Sequence, residues 1–287
     1  MSNSKVQNIL SNNVSEDSNV FRYAVVLEYI GTEYAGSQTQ PAQRTIQSEL
    51  EKALKIVCRQ VVKANFSGRT DSGVHSKGQV VHFDINQKID EFKFISSLNA
   101  ILPSDISVNA ITEVDKTFHA RNSAKYRWYR YKILNKQARS VWNKESAHIW
   151  GDFDLEAMNT ALKYLEGCHD FNAFKSANSQ NTVTECIVYS ANCSASGDYI
   201  NIDLVANRFL HNMVRVIVGT VIKIGKGEKT PQFMNDVLSS KDRTLAGPTA
   251  PAEGLALMCV GYSKKYNLFE CINKEANKDE NIFRQAS

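Results

Sequence analysis

The chain has 287 residues, 43% of them hydrophobic, with 34 Lys or Arg against 30 Asp or Glu and a formal net charge of +4. That is enough for a real core in two modest domains, and so mildly basic a balance permits a polyanionic partner without demanding one. The six cysteines, at 58, 168, 186, 193, 259 and 271, form no Cys-x-x-Cys pair and the histidines form no cluster, which argues against a zinc site or any other metal centre and against a disulfide framework.

Residues 1–19 are rich in Ser and Asn and read as a disordered extension, lacking the apolar run of a signal peptide and the arginines of a transit peptide. Phe21 to Ile30 is a β-rich run. Thr45 then caps a helix to Arg59 that puts Ile46, Leu50, Ala53, Leu54 and Val57 on one face. Val61 to Phe66 and Gln79 to Asp84 are expected strands, Glu91 to Leu102 a helix stopped by Pro103, and Ile106 to Val114 a strand.

A second pass begins with a strand at Ala124 to Leu134 and a helix at Leu155 to Glu166, capped by Asp154 and closed by Gly167. Val183 to Cys193 and Tyr199 to Ala206 form a hairpin through Ser196-Gly197-Asp198. Helices near Phe209 to Ile224 and Gln232 to Leu238 precede a last strand at Leu255 to Tyr262. The first pass reads β-α-β-β-α-β, the split βαβ order, and the second repeats it with one helix added. The expected fold is therefore α+β. Two ferredoxin-like halves, 20–115 and 116–266, share one wide, mostly antiparallel sheet with helices behind it and a central cleft, and 267–287 form a tail. Met213 to Ile224 is the most apolar stretch, but Arg215, Gly219, Thr220 and Lys223 interrupt it, so no membrane span is expected and the protein reads as reduced and cytoplasmic.

Ser67 to Phe83 is the stretch that asks for a chemical explanation. Glycines at 68, 73 and 78 bracket Arg69, Asp71 and His75 ahead of the alternating strand, a pattern for a shaped loop that presents charge at a strand edge. Gly68 and Gly73 have the spacing of a phosphate loop, but Val74 and His75 stand where Lys and Ser or Thr belong. Ser72 lies directly beside Gly73, so a nucleophile elbow does not fit either. Without further support, Asp71 would cap a turn and pair with Arg69.

From Arg121 to Lys144 there are eight Lys or Arg and no acid, interleaved with Tyr126, Trp128, Tyr129, Tyr131 and Trp142. Cations for phosphates mixed with rings for bases suit single-stranded or looped RNA; the competing account is a strand with one solvated basic face and one aromatic core face. Further on, His211 and Arg215 are spaced to share a helical face with Arg208 nearby. Arg215, set among Met213, Val214, Val216 and Ile217, is either a snorkelling side chain or a partly buried cation that needs an acid.

These stretches together resemble the TruA family of tRNA pseudouridine synthases. The resemblance rests on Gly68-Arg69-Thr70-Asp71-Ser72-Gly73-Val74-His75 with Gly78-Gln79-Val80. It is supported by Tyr29 to Gln40, Leu98 to Pro103, Phe118 to Arg121, Tyr129 to Tyr131, Gly167 to Phe171, Phe209 to Arg215 and Ala252 to Leu255. It covers Phe21 to Tyr262. Ser37 departs from the aromatic residue usual in the family after the glycine at Gly36, and Thr39 from a common basic residue.

The resemblance implies an isomerase that turns uridine into pseudouridine at positions 38, 39 and 40 of the tRNA anticodon arm, working as a homodimer and without a cofactor. It implies Asp71 as the essential carboxylate, Tyr129 as the tyrosine against the target base and Arg215 as the partner of Asp71. Arg69, Arg121, His75 and His211 are carried as further substrate contacts. Two other readings are a catalytically silent RNA-binding protein using the same cleft, and a hydrolase built on Asp71, Ser72 and His75, whose crowding into five residues disfavours a working triad.

Overall fold

The fold is known from a computed structural model that describes residues 20–142, 144–176 and 182–266. The expected extension at 1–19 and the tail at 267–287 lie outside the described residues. Within them, ten strands form one sheet in the order β4-β1-β3-β10-β5-β9-β8-β7, with β2 on β3 and β6 on β5. The strands are β1 (Phe21–Tyr29), β2 (Asn65–Phe66), β3 (His75–Ile85), β4 (Ile106–Val114), β5 (Ala124–Leu134), β6 (Ala147–His148), β7 (Gly167–Asp170), β8 (Glu185–Ser196), β9 (Tyr199–Ala206) and β10 (Leu255–Tyr262). The helices are α1 (Ile46–Cys58), α2 (Glu91–Ile101), α3 (Leu155–Lys163), α4 (Met213–Gly225) and α5 (Gln232–Ser240).

The α+β class and the mostly antiparallel sheet are as expected: β3 with β10 and β5 with β6 are the parallel pairings, and the others are antiparallel. With the short β6 and β7 left aside, the strands of each half lie fourth, first, third, second in chain order, as β4-β1-β3-β2 and β10-β5-β9-β8. Pairing of β3 with β10 joins the halves.

Tyr23, Val25, Leu27 and Tyr29 of β1, with Val81 and Phe83 of β3, pack under α1 and α2. Tyr129, Tyr131 and Ile133 of β5, with Ile200, Ile202 and Leu204 of β9, pack under α3, α4 and α5. One row of paired residues runs Tyr29, Ser76, Leu257, Tyr129, Leu204 across five strands. Residues paired across neighbouring strands share a sheet face. Both helix layers therefore sit on the same face, and the row through Tyr29, Ser76 and Tyr129 floors the junction between them.

The departures from expectation have local causes. The strand expected from Val61 shrinks to Asn65–Phe66, because side chains of α1 take the backbone of Ala64: its N–H donates to Glu51 Oε1 at 3.0 Å and its carbonyl accepts from Gln47 Nε2 at 3.2 Å. Helix α3 ends at Lys163, and Gly167, at φ +103°, opens β7 instead of closing the helix. Helix α4 begins at Met213 and not near Phe209, because Asn212 adopts a left-handed backbone, φ 62° and ψ 2°, that a helix interior excludes. The short strands β6 and β7 carry no alternation long enough to detect.

Candidate active site

Asp71 sits on the turn that leads into β3, and the loop around it is shaped by backbone needs more than by charge. Gly73 has φ +78°, where an L side chain is strained, and a Cβ on Gly78 would come within 2.5 Å of the Met258 carbonyl of β10. Gly68 meets neither limit. The loop is also pinned from the segment after β1. Thr70 N–H donates to Ser37 Oγ at 2.9 Å, and Ser37 N–H donates to the Thr70 carbonyl at 3.1 Å. Ser72 Oγ and the Gly73 N–H both donate to the Tyr34 carbonyl, at 3.1 and 3.4 Å. Beneath them, Tyr29 Oη and Thr70 Oγ1 lie 2.9 Å apart, and Gln79 Nε2 donates to the Gly68 carbonyl at 3.0 Å.

The carboxylate so placed meets two basic side chains from the other half of the molecule. Arg215 Nη1 lies 3.3 Å from Asp71 Oδ2, and His211 Nε2 lies 3.4 Å from Asp71 Oδ1. Arg215 is itself aimed by two further acceptors, the Ala250 carbonyl at 2.7 Å from Nε and Asn212 Oδ1 at 3.3 Å from Nη1. The snorkelling account of Arg215 is thereby set aside: its side chain is 17% exposed and turns inward to an acid. His211 does not share a helical face with it, since it lies ahead of the first turn of α4. The left-handed Asn212 brings the ring back to the same carboxylate.

Tyr129 stands on the floor, 8% exposed, with the Phe209 ring edge-on at 5.2 Å. Burial pushes its phenol well above the ordinary tyrosine range, and the nearby Tyr29 and Asp71 add to the effect. Its hydroxyl finds no hydrogen-bond partner among the described residues. Arg69 and Arg121 are exposed and likewise unpaired, so Asp71 does not pair with Arg69 across its own turn.

His75 needs a correction. It was expected to touch substrate, but it is 3% exposed and both ring nitrogens are engaged: Nδ1 accepts from the Gly31 N–H at 3.0 Å, and Nε2 donates to the Glu253 carbonyl at 3.1 Å. Burial depresses its pKa, which keeps the ring neutral. It braces the two halves behind the loop and has no polar atom left for a substrate.

The basic stretch around β5 also resolves differently from the simple RNA reading. Arg127 donates to three carbonyls, of Asn207, Ser67 and Arg121, at 2.7 to 3.1 Å, and Arg130 forms a bidentate pair with the buried Asp203. Sequence reasoning missed three supports: Asn212, Ser37 and Asp203. The available signals were the polar Asn breaking an apolar helix start and the small residue following Gly36. Among the described residues no group of three or more His, Cys, Asp or Glu is arranged to hold a metal ion, and no helix is long and apolar enough to cross a membrane.

A family model described as tRNA pseudouridine synthase matches residues 25–122 and 161–263, which include Asp71, His211 and Arg215. A tRNA pseudouridine synthase A of Vibrio campbellii (strain ATCC BAA-1116) is 44% identical over 248 residues, covering 86% of this chain and 94% of the relative. One of Geobacillus kaustophilus (strain HTA426) is 43% identical over 244 residues, covering 84% and 94%. A solved Cbf5-Nop10-Gar1 complex aligns with 90% of this chain and 68% of that one at 13% identity and a TM-score of 0.34, too slight a likeness to bear on the fold. With the site geometry and these matches together, the chain belongs to the TruA family of tRNA pseudouridine synthases.

Proposed function

We infer that this protein is an isomerase that converts uridine to pseudouridine in tRNA, at positions 38, 39 and 40 of the anticodon stem and loop. The observation that carries the reading is one carboxylate, Asp71, with Arg215 on one oxygen and His211 on the other, inside the segments that the family model matches. The reaction breaks the bond from ribose C1′ to N1, turns the uracil in place and joins C1′ to C5. N1 gains a proton and C5 loses one, so no atom is left over and no cofactor is called for.

In this reading Asp71 attacks or deprotonates the sugar or base, while Arg215 and His211 hold its oxygens in place. Tyr129 lies against the target base. As a buried, neutral phenol it is better suited to position the water that takes the C5 proton than to take that proton itself. The uridine has to leave its stack to reach a carboxylate at the junction of two helix layers, at a cost of a few kcal/mol. Arg69 and Arg121, exposed and unpaired among the described residues, supply phosphate contacts. Residues 20–115 and 116–266 act as two domains with the site at their seam, and the protein works in the cytoplasm as a homodimer.

The test uses tRNA tritiated at uracil C5, with wild type and Asp71→Asn. Tritium release by the wild type alone, with pseudouridine mapped to positions 38 to 40, is the expected result. Tight tRNA binding without release by either protein would replace the reading with a binding-only one.

A further inference from the structure

Helix α4 starts by breaking a local rule. An Asn just ahead of a first helical turn ordinarily keeps an extended backbone and accepts an N–H of that turn with its side chain. Asn212 does neither: its backbone is left-handed, φ 62° and ψ 2°, and its side chain makes no capping hydrogen bond. A lost cap weakens the start of a helix, so the amide is being used elsewhere.

Both departures lead to Asp71. The Met213 N–H donates to the Leu210 carbonyl at 3.1 Å, which closes a four-residue turn with His211 and Asn212 at its centre. A positive φ at the third residue of such a turn favours Gly or Asn. The Ser176 N–H donates to the His211 carbonyl at 2.9 Å and fixes the corner from outside, and the ring of His211 comes to 3.4 Å from Asp71 Oδ1. The amide freed from capping turns to Arg215. Asn212 Oδ1 lies 3.3 Å from Arg215 Nη1, the same nitrogen that lies 3.3 Å from Asp71 Oδ2. A guanidinium only donates, so the amide presents its oxygen. Arg215 is otherwise anchored on Ala250, whose carbonyl accepts from Nε at 2.7 Å and whose N–H donates to the Arg215 carbonyl at 3.0 Å.

We propose that Asn212 is a positioning residue for the isomerisation: its backbone seats His211 on one oxygen of Asp71, and its amide oxygen seats Arg215 on the other. The proposal rests on the pseudouridine reading above and adds to it the residue that sets both arms of the clamp. Asn meets both demands. Gly takes a left-handed backbone more readily but offers no acceptor, and Ala is strained there and offers none either. Asp would bring a second negative charge to compete with Asp71 for Arg215.

The two arms are separated by Asn212→Gly, which keeps the turn and removes the amide, and Asn212→Ala, which removes the amide and strains the turn. Each is made alone and together with His211→Ala. Single-turnover tritium release with saturating enzyme, counted on the folded fraction, is measured beside a filter-binding isotherm for tRNA. Asn212→Gly is expected to lower the rate about tenfold with affinity within twofold, because Arg215 loses its aim while the fold is kept. His211→Ala should cost the same factor in the Gly background as in wild type. In the Ala background most of that cost should be gone, since the ring has already left the carboxylate. A readout without tRNA is the NMR signal of the His211 ring, assigned by its absence in His211→Ala. It should move on Asp71→Asn in the wild-type and Gly backgrounds and stay still in the Ala background. A full rate for Asn212→Gly would overturn the proposal and leave Asn212 a turn former. A loss of affinity alone would overturn it too, by making the residue an RNA contact. So would a cost of His211→Ala that is nil, or equal in all three backgrounds. If wild type released no tritium, the isomerase reading would fall, and a ring signal that answered Asp71→Asn alike in all three backgrounds would still overturn the positioning.

Discussion

Arg215 Nη1 lies 3.3 Å from Asp71 Oδ2 although 144 residues separate them, so the site exists only when the two halves of the sheet are joined. The joint is the parallel pairing of β3 and β10, and the segment before β10 also supplies the Ala250 carbonyl that fixes Arg215 Nε. A guanidinium is needed because one planar group serves three acceptors. Arg215→Lys is expected to lower kcat by about 10²-fold. Affinity for tRNA should change far less. Single-turnover tritium release with saturating enzyme, beside a filter-binding isotherm, measures both; equal losses in the two would show that Arg215 binds RNA instead of orienting Asp71.

Ser37 shows how the Asp71 turn is held. It is 1% exposed and exchanges two hydrogen bonds with Thr70, one residue before Asp71. Ser37→Ala strands the Thr70 N–H in a buried place, at a cost of about 1–3 kcal/mol. The expected result is a lower urea midpoint together with roughly a tenfold drop in kcat, as the turn shifts the carboxylate. A loss of stability with kcat unchanged in the folded fraction would mean that Asp71 is positioned by Arg215 and His211 alone.

What could be read from the sequence follows the range of the forces involved. Strands β4, β5, β9 and β10 have the expected limits because alternation within one strand reports its two faces directly. The Asp71 loop is legible because Gly73, at φ +78°, answers a local backbone requirement, whereas the need for Gly78 comes from the Met258 carbonyl of β10. The start of α4 is not, since Asn212 takes a left-handed conformation beside the long-range contact of His211 with Asp71. His75 misled for a similar reason: a histidine four residues from Asp71 looks chemical, and only the burial and the engagement of both ring nitrogens reveal a brace. The fate of Arg130 was hidden as well, because its acid lies on β9 and register cannot be read from either strand alone.

That acid gives a prediction about stability without activity. Asp203 Oδ1 accepts from Trp128 Nε1 at 2.6 Å and from Arg130 Nε at 2.9 Å, while Oδ2 accepts from Arg130 Nη2 at 3.0 Å. The carboxylate is 5% exposed, and its removal takes away the acceptor of two Arg130 hydrogen bonds and of the Trp128 Nε1 bond at once. Asp203→Ala should cost roughly 3–5 kcal/mol. Because Trp128 and Arg130 alternate with Tyr129 along β5 and face away from the floor, kcat measured on the folded fraction should hold. Urea denaturation with parallel tritium assays checks this, and a destabilisation below about 1 kcal/mol would show that the pair is solvated.

His82 provides the pH dependence. Its ring is 3% exposed, accepts the Ala120 N–H on Nδ1 at 3.1 Å and lies 4.7 Å from the His119 ring. Burial pushes its pKa down to about 4, with the charges of Arg22 and His119 acting in the same direction. An unfolded chain would bind the proton near pH 6.5, so between the two values the unfolded state holds more protons than the folded one. Stability therefore rises with pH through that window, is complete above about 6.5 and is lost as pH falls toward 4. Asp84 and Asp170, whose pKa values are lowered by their partners, titrate below the window; His75, also depressed by burial, adds to the same slope. His82→Gln should remove roughly 1–3 kcal/mol of the difference between pH 6.5 and 4. Urea midpoints taken every half unit for both proteins measure it, and parallel curves would assign the acid sensitivity to His75 and other groups.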